Sequence, residues 1–166
     1  MSIFPTKIVL ATDDSKVAEL AALEAIDLAE STDSELHVVH VGVVPNFLES
    51  YPGTLGYDRN LYEDIEEESR ELLRKLTWRV KVAGGTVAGA HLRMGVVDVE
   101  IVGLAKELGA GLIVMGCRGH RRIRRAIEGS ISSAVIRHAP CPVLVVRSHK
   151  RVEAPERPPI VHVGGR

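Results

Sequence analysis

The sequence GLIVMGCRGHRRIRRAIEGS, at positions 111–130, decides the fold. Its opening run, GLIVMG, is apolar and rich in β-branched residues, which is typical of a strand buried on both faces of a parallel sheet. A loop rich in glycine and arginine follows, and Gly129-Ser130 then begins a short helical pattern that stops before Pro140. A buried strand, a glycine loop and a helix in this order predict an α/β unit whose loop lies at the carboxyl end of the strand.

Further strands and helices alternate on both sides of this stretch. Strands are predicted at KIVLAT (7–12), ELHVVHVGVV (35–44), TVAGAHLRM (86–94, the weakest) and PVLVV (142–146). Helical spacing is shown by Val17, Leu20, Ala21, Ala25 and Leu28, by Leu61, Ile65, Leu72, Leu76, Val80 and Ala83, by Val97, Ile101, Leu104 and Leu108, and by Ile131, Ala134 and Val135. This alternation predicts one α/β domain with a five-stranded parallel sheet and right-handed crossovers.

Length and composition are those of an ordinary soluble domain. The chain has 166 residues, of which 45% are hydrophobic and 26% charged. A net charge of −1 gives the protein no overall field for nucleic acid or anionic lipid, so neither partner is expected. The two cysteines suit a reducing compartment, and the short apolar runs predict a cytoplasmic protein without a membrane segment. We expect a folded domain at 1–147 and a flexible, proline-rich tail at 148–166.

The glycine loop has the chemistry of a phosphate site. Free N–H groups and the helix dipole make a helix start attractive to anions, and Gly129-Ser130 leaves that start uncovered. Ser130 and Ser132 add hydroxyl donors, while Gly116 and Gly119 allow the loop to bend close to a ribose. The arginines at 121, 122, 124 and 125 could hold phosphates, bind a partner's acidic surface or be simply solvated.

A second polar loop follows the first strand. Asp13 can accept hydrogen bonds from a ribose hydroxyl or an adenine amine, although it could also serve only as the negative charge of a helix start. Asp14 or Ser15 can cap that helix, and Thr12 and Val41 could form a flat floor for adenine. If the first and fourth strands are neighbours, this loop and the glycine loop share one crevice.

The spacing Gly-x2-Gly-x9-Gly-Ser, preceded by an apolar strand and followed by PVLVV, resembles the universal stress protein (UspA) family, and specifically its ATP-binding branch. The likeness runs from KIVLATDDS through VVHV and GLIVMGCRGH to GSISSAVIRHAPCPVLVV. It implies a doubly wound, Rossmann-like sheet in the order 3-2-1-4-5, with helices on both faces. It also implies a homodimer formed through the last strand, from Pro142 to Val146.

The same resemblance implies roles for individual residues. Asp13 would bind the adenosine, and the main chain near Val41 would contact adenine. Gly116 and Gly119 would border ribose and phosphate, and Gly129, Ser130 and Ser132 would hold the phosphates. The remaining pocket residues would be Ala11, Thr12, Met115, Arg118 and Ile131. The ligand would be ATP, or AMP or ADP, with Mg²⁺ as an accompanying ion.

Three departures from the family pattern stand out. The loop HRRIRRAIE is unusually rich in arginine, Val97 replaces a proline that is frequent before the fourth strand, and the tail beyond Arg147 is longer than usual.

The leading function is a nucleotide-dependent regulatory switch in the stress response, with an unknown protein partner and no catalytic residues. The alternatives are a slow ATPase or nucleotidyl transferase, with Glu128 near Mg²⁺, and a nucleotide-free dimeric scaffold.

The histidines of the second predicted strand do not indicate a metal site. Residues three apart on a strand point to opposite faces, so His37 and His40 cannot chelate one ion together. We expect both to be ordinary core or surface residues. The chain also lacks a GxxxxGK[ST] loop, a GxSxG turn and an HExxH helix, which argues against the best-known hydrolase classes.

Overall fold

The structure, a computed structural model, describes residues 2–44, 59–117 and 130–148. The elements in chain order are β1 (Lys7–Ala11), α1 (Lys16–Thr32), β2 (Glu35–Gly42), α2 (Arg59–Val82), β3 (Val87–Met94), α3 (Val97–Leu108), β4 (Leu112–Gly116), α4 (Ser130–His138) and β5 (Val143–Val146). The arginine-rich loop at 118–129 and nearly all of the predicted tail lie outside the described residues.

The five strands form one parallel sheet in the order β3-β2-β1-β4-β5, which confirms the predicted fold class. β1 is central, because Ile8 pairs with Leu36 of β2 on one side and with Leu112 of β4 on the other. The fully buried side chains of Ile8, Val9 and Leu10 explain why the strand is an unbroken apolar run.

Helices cover the sheet on both faces, and each face has its own core. Ile8 and Leu10 of β1 pack with Ala21 and Ala25 of α1, and Leu73 and Val80 of α2 belong to the same cluster. Val9 and Ala11 point the other way, into a cluster with Ile101 and Leu104 of α3 and Val135 of α4. The strand alternation therefore places α1 and α2 on one face and α3 and α4 on the other.

Three helical faces differ from the sequence prediction. In α2, Leu61 was expected to be inside but is 36% exposed in the first turn of the helix. Leu20 was expected to be inside but is 40% exposed, because the buried stripe of α1 consists of the small residues Ala18, Ala21, Ala25 and Ala29 with Ile26. Alanines let this helix lie close to the sheet, and Leu20 falls about 100° away from the stripe. In α4, Ile131 was also expected to be inside but is 38% exposed, and Ser132 is buried instead. Val135 is the fully buried residue through which this helix packs against the core.

Glycines end two helices where the pattern predicted it. Gly109 has φ 63° and closes α3, with its N–H bonded to the Ala105 and Lys106 carbonyls. Gly84, with φ 101°, follows the end of α2. A side chain in either backbone conformation would be strained, which is why glycine is used there. Ala83, expected on the inner face of α2, lies just beyond the helix and is exposed.

Candidate functional site

The candidate site lies at the carboxyl edge of the sheet, where β1 and β4 are adjacent. Ala11 pairs with Met115, so the two strands end side by side. From this point β1 leads into α1 on one face, and β4 leads toward α4 on the other. This is the strand-order reversal at which open α/β sheets form a crevice. The condition set by the sequence, that the first and fourth strands be neighbours, is met.

An apolar floor is formed by side chains from three neighbouring strands. Ala11 of β1, Val41 of β2 and Met115 of β4 are each less than 9% exposed and share one packed cluster. All three therefore point to the face covered by α3 and α4. Because the side chain of Val41 is buried among its neighbours, its main chain is the part best placed to meet a ligand at the edge of the sheet.

Thr12 is fixed by three hydrogen bonds immediately after β1. Its N–H donates to the Val39 carbonyl at 3.0 Å, and its hydroxyl donates to the Asp13 carbonyl at 3.3 Å. The Thr12 carbonyl lies 3.1 Å from Nδ1 of His40, which must carry the hydrogen because a carbonyl oxygen only accepts. The turn that leads to Asp13 is thus held by the neighbouring strand.

Asp13 and Ser15 together close the start of α1. Ser15 is the N-cap, and its hydroxyl oxygen accepts from the Ala18 N–H at 3.1 Å. The Oδ1 atom of Asp13 accepts from the Ser15 N–H at 3.0 Å. Of the two caps considered from the sequence, Ser15 is the correct one. Asp13 is half-buried, and one of its oxygens already has a structural role.

Asp14 points away from the crevice and binds α2. Its carboxylate accepts from Lys75 Nζ at 2.9 Å and from Arg79 Nη1 at 2.6 Å. The hydrogen bond from Lys75, followed by that from Arg79, lowers the pKa of the Asp14 carboxyl below its ordinary value and outweighs the opposing effect of partial burial. This cluster ties the beginning of α1 to the outer helix beside it.

Packing alone explains why position 116 is a glycine, apart from the role in ligand binding that the sequence predicts. A Cβ atom at this position would lie 3.0 Å from Cγ1 of Val17 and 3.3 Å from the Ala18 nitrogen. The end of β4 therefore passes very close to the first turn of α1. Only a residue without a side chain allows this approach without displacing the helix.

The start of α4 completes the set at the same edge. Since β4 and β5 are parallel, the helix that joins them runs back along the sheet, so Ser130 lies at the carboxyl edge. Ser132 is 8% exposed. Arg118, Gly119 and Gly129 lie outside the described residues, and for Ser130 only the helical backbone is described.

Sequence reasoning missed His40, Val17 and the Lys75–Arg79 pair. His40 acts through a main-chain carbonyl on a neighbouring strand, a contact that depends on strand register. Val17 was assigned to a helical face without its approach to Gly116. The basic pair on α2 is distant in sequence, because Lys75 and Arg79 are 61 and 65 positions from Asp14. Opposite charges on two predicted helices were the one signal available.

The other strand histidine belongs to a separate polar cluster. His37 is 7% exposed, with Nδ1 3.2 Å from Nε2 of His91 and Nε2 3.2 Å from a Glu35 carboxylate oxygen. Burial, and then the charges of His37 and Arg93, lower the pKa of His91. Across residues 2–44, 59–117 and 130–148, no group of three or more His, Cys, Asp or Glu side chains is arranged to hold a metal ion.

None of the helices within the described ranges combines the length and the apolar character needed to cross a membrane.

Comparison with known proteins shows the same architecture and the same sequence family. Residues 5–147 match the model of the universal stress protein family. A universal stress protein of Methanocaldococcus jannaschii is 36% identical over 152 residues, covering 87% of this chain and 84% of that protein.

Two solved structures extend the comparison to three dimensions. Universal stress protein UspA from Lactobacillus plantarum superposes with a TM-score of 0.68 at 27% identity, over 87% of this chain and 99% of that one. A universal stress protein from Archaeoglobus fulgidus in complex with dAMP superposes with a TM-score of 0.59, also at 27% identity, and covers 87% and 99% of the two chains.

Proposed function

Because the chain belongs to the universal stress protein family, we propose that it is an adenine-nucleotide-binding regulatory protein of the stress response. The observation that carries this proposal is the crevice between β1 and β4, where an apolar floor, a carboxylate and a helix start lie at one edge of the sheet. The complex of an Archaeoglobus fulgidus family member with dAMP supports the same ligand class here.

Each part of a nucleotide has a counterpart in this crevice. Adenine would lie over Ala11 and Met115, with the main chain of Val41 at its edge. The Asp13 carboxylate and the turn at Thr12 would meet the ribose. Gly116 would stay on the ribose side because its own backbone is pressed against α1.

The phosphates would lie at the start of α4. Gly129 gives them access to the main chain of Ser130 and Ile131, and Ser132 would add a hydroxyl. Arg118 and Gly119 would border the ribose and phosphate from the loop. The surplus of arginines at 121–125 favours ATP over AMP, since a longer phosphate chain carries more charge. Glu128 could then accompany a Mg²⁺ ion.

The protein would act as a homodimeric switch. β5 is an edge strand whose four residues are all half-buried, so it presents apolar surface and unpaired main-chain groups. A second copy joined along Val143–Val146 would cover both. Substituting Leu144→Asp should yield monomers in sedimentation equilibrium, whereas Val99→Asp, on an exposed position of α3, should not.

A thermal-shift panel tests the nucleotide proposal. ATP, ADP, AMP and cyclic AMP would be added with and without Mg²⁺, with GTP as the matched control for phosphate without adenine. A ligand at 100 times its Kd stabilises by about 2.7 kcal/mol, which corresponds to roughly 5–10 °C for a chain of this size. No shift with any adenine nucleotide at millimolar concentration would refute the proposal, and an equal shift with GTP would remove the adenine assignment.

We propose binding without efficient turnover. Asp13 would be occupied by the nucleoside, and its Oδ1 already accepts from Ser15, so it is poorly placed to activate water. Phosphate release slower than about 0.1 s⁻¹, below the usual enzyme range of about 1–10³ s⁻¹, is the expected result. Faster release that depends on Mg²⁺ would make the protein an ATPase.

A further inference from the structure

A groove runs between α2 and the edge strand β3, on the opposite side of the sheet from the α4 helix. It has a volume of about 320 Å³ and is lined by Arg70, Leu73, Arg74, Thr77, Trp78 and Lys81 of α2 and by Ala90 of β3. We call it the α2 groove. None of its residues belongs to the nucleotide crevice, so it stands independently of the proposed function.

Small residues of β3 leave this groove open. Ala88 and Ala90 are both exposed and Ala90 lines the groove, so no large side chain of β3 fills the space there. Gly89 between them cannot be larger, because a Cβ there would lie 2.7 Å from Nδ1 of His37. In the described sheet β3 pairs only with β2, so its outer main-chain groups face away from the fold.

One exposed aromatic side chain lines the groove, and a second exposed apolar residue lies next to it on α2. Trp78 is 63% exposed and Val82 is 65% exposed, and the two lie one helical turn apart. Between them and the core, the Thr77 hydroxyl is buried with no hydrogen-bond partner within the described part of the chain. A buried hydroxyl without a partner is costly, and a bound peptide could supply the missing group.

The rim of the groove is basic. Lys81 forms no ion pair within the described ranges, and it lies in the last turn of α2. Among the described residues, Arg74 is paired with Glu67 and Glu71 of its own helix, at 3.7 and 2.9 Å, and both carboxylates are 70% exposed. Arg70 is likewise paired within the helix, with Glu66 at 2.5 Å and Glu67 at 3.9 Å. Such exposed pairs contribute little and are readily exchanged for a ligand's carboxylate.

We propose that the α2 groove binds an extended, acidic peptide segment of a protein partner, which adds as a strand to the free edge of β3. The main chain of β3 would supply the ladder of hydrogen bonds. An apolar peptide side chain would contact Trp78 and Leu73, and acidic side chains would meet Arg74 and Lys81. A second copy of this chain is disfavoured because two basic rims would face each other. Nucleic acid is disfavoured because only one aromatic ring is available for stacking.

Fluorescence anisotropy with defined probes tests this proposal. The first probe is a fluorescein-labelled peptide of seven residues, about the length of a typical strand, with glutamate, valine and glutamate at every second position and serine elsewhere. Its acidic and apolar side chains then share the one face that meets α2. The second has lysine in place of glutamate, and the third is the acidic peptide with alternate amide groups N-methylated. The fourth is labelled oligouridine of similar length. Saturable binding of the first probe alone is expected.

Two substitutions assign the binding to the groove, and two matched substitutions control for charge and exposure. Trp78→Ala and Lys81→Glu should each weaken binding of the acidic peptide by about tenfold or more. Val99→Ala and Lys106→Glu change exposed residues of α3 on the other face and should leave it unchanged. Because Trp78 is mostly exposed, its variant should retain the circular dichroism spectrum of the parent.

Several results would overturn the proposal. These are equal binding of acidic and basic peptides, undiminished binding of the N-methylated peptide, and unchanged affinity in Trp78→Ala or Lys81→Glu. Binding of oligouridine but not of the peptide would assign the groove to nucleic acid. A drop in oligomeric state with Trp78→Ala, measured by sedimentation, would show that a second copy covers it. ATP binding should be unaffected in every case, which separates this test from the nucleotide proposal.

Discussion

Two helices begin at the same edge of the sheet, and they begin in different ways. The start of α1 is closed by the chain itself, because Ser15 accepts from Ala18 and Asp13 accepts from Ser15. The start of α4 is preceded by Gly129, which has no side chain that could cap it. A helix start that is capped by its own side chains offers few N–H groups to a ligand.

Under the proposed function, this difference would divide nucleotide binding between the two helices, with the nucleoside at α1 and the phosphates at α4. α1 is held in place from two sides, because Asp14 pairs with basic residues of α2 and the first turn of the helix packs against Gly116 of β4. Under the proposed function, it would position Thr12 and Asp13 for the nucleoside. α4 would supply main-chain donors to the phosphates, in the manner of anion sites at helix starts. Substitutions at the two starts should therefore separate affinity from stability.

The largest effect is expected from closing α4 in the way that α1 is closed. Gly129→Asp would place a carboxylate at the helix start, where it would accept from main-chain N–H groups and repel phosphate. Affinity for ATP, measured by calorimetric titration, should fall about 100-fold or more, which is about 2.7 kcal/mol. Gly103→Asp is the matched control, because a Cβ on Gly103 of α3 meets no atom within 4 Å. Equal affinity of parent and Gly129→Asp would contradict the division.

A smaller effect is expected from the arginine loop. Replacing Arg121, Arg122, Arg124 and Arg125 by alanine should weaken ATP binding by about tenfold, which corresponds to losing roughly one charge-assisted bond to phosphate of about 1.5 kcal/mol. Adenosine serves as the internal control, because it has no phosphate and should bind unchanged. Equal weakening of ATP and adenosine would show that these arginines do not meet the phosphates.

At α1 the expected loss is in stability. Ser15→Ala removes the cap and should lower the free energy of unfolding by about 1 kcal/mol, or roughly 2–4 °C in Tm. ATP affinity should change less than about twofold. Ser31→Ala, at the exposed far end of the same helix, is the matched control. A large loss of ATP affinity in Ser15→Ala, at constant stability, would place the ligand at α1 instead.

The smallest effect is expected at Asp14 and depends on pH. Its pKa is lowered in the folded state, so its ion pairs stabilise above the unfolded value of about 3.9 and this contribution disappears as pH falls through the folded pKa. Asp14→Asn should cost about 0.5–1 kcal/mol in urea unfolding at pH 7, given the exposure of the pair, and progressively less as the pH falls below about 4. Asp27→Asn, an exposed residue of α1, is the control. A loss that persists undiminished at pH 2 would contradict the ionic origin.

The sheet could be predicted from sequence because its strands are unbroken apolar runs. GLIVMG and KIVLAT are buried on both faces, and burial of this kind leaves a clear pattern. The strand order came from family resemblance, since apolar runs do not specify which strands pair. The face of α1 was misjudged at Leu20 because the buried stripe is alanine, and alanine gives a weak hydrophobic signal.

The site was predictable only in part, for a related reason. Thr12 and Gly116 end predicted strands and Asp13 follows one, and the structure brings all three to one edge. The support from His40 to the Thr12 carbonyl and from α2 to Asp14 was hidden, because such contacts depend on register and on helix packing. Placement of Arg118, Gly119 and Gly129 stays a prediction.

The most direct test of the division between α1 and α4 is a crystal structure of the protein grown with ATP. Phosphate oxygens should lie about 2.7–3.2 Å from main-chain nitrogens between Ser130 and Ser132, with Asp13 bonded to the ribose or the adenine. Phosphates placed at the first turn of α1, or a crevice filled by the chain's own side chains at saturating ATP, would contradict the account.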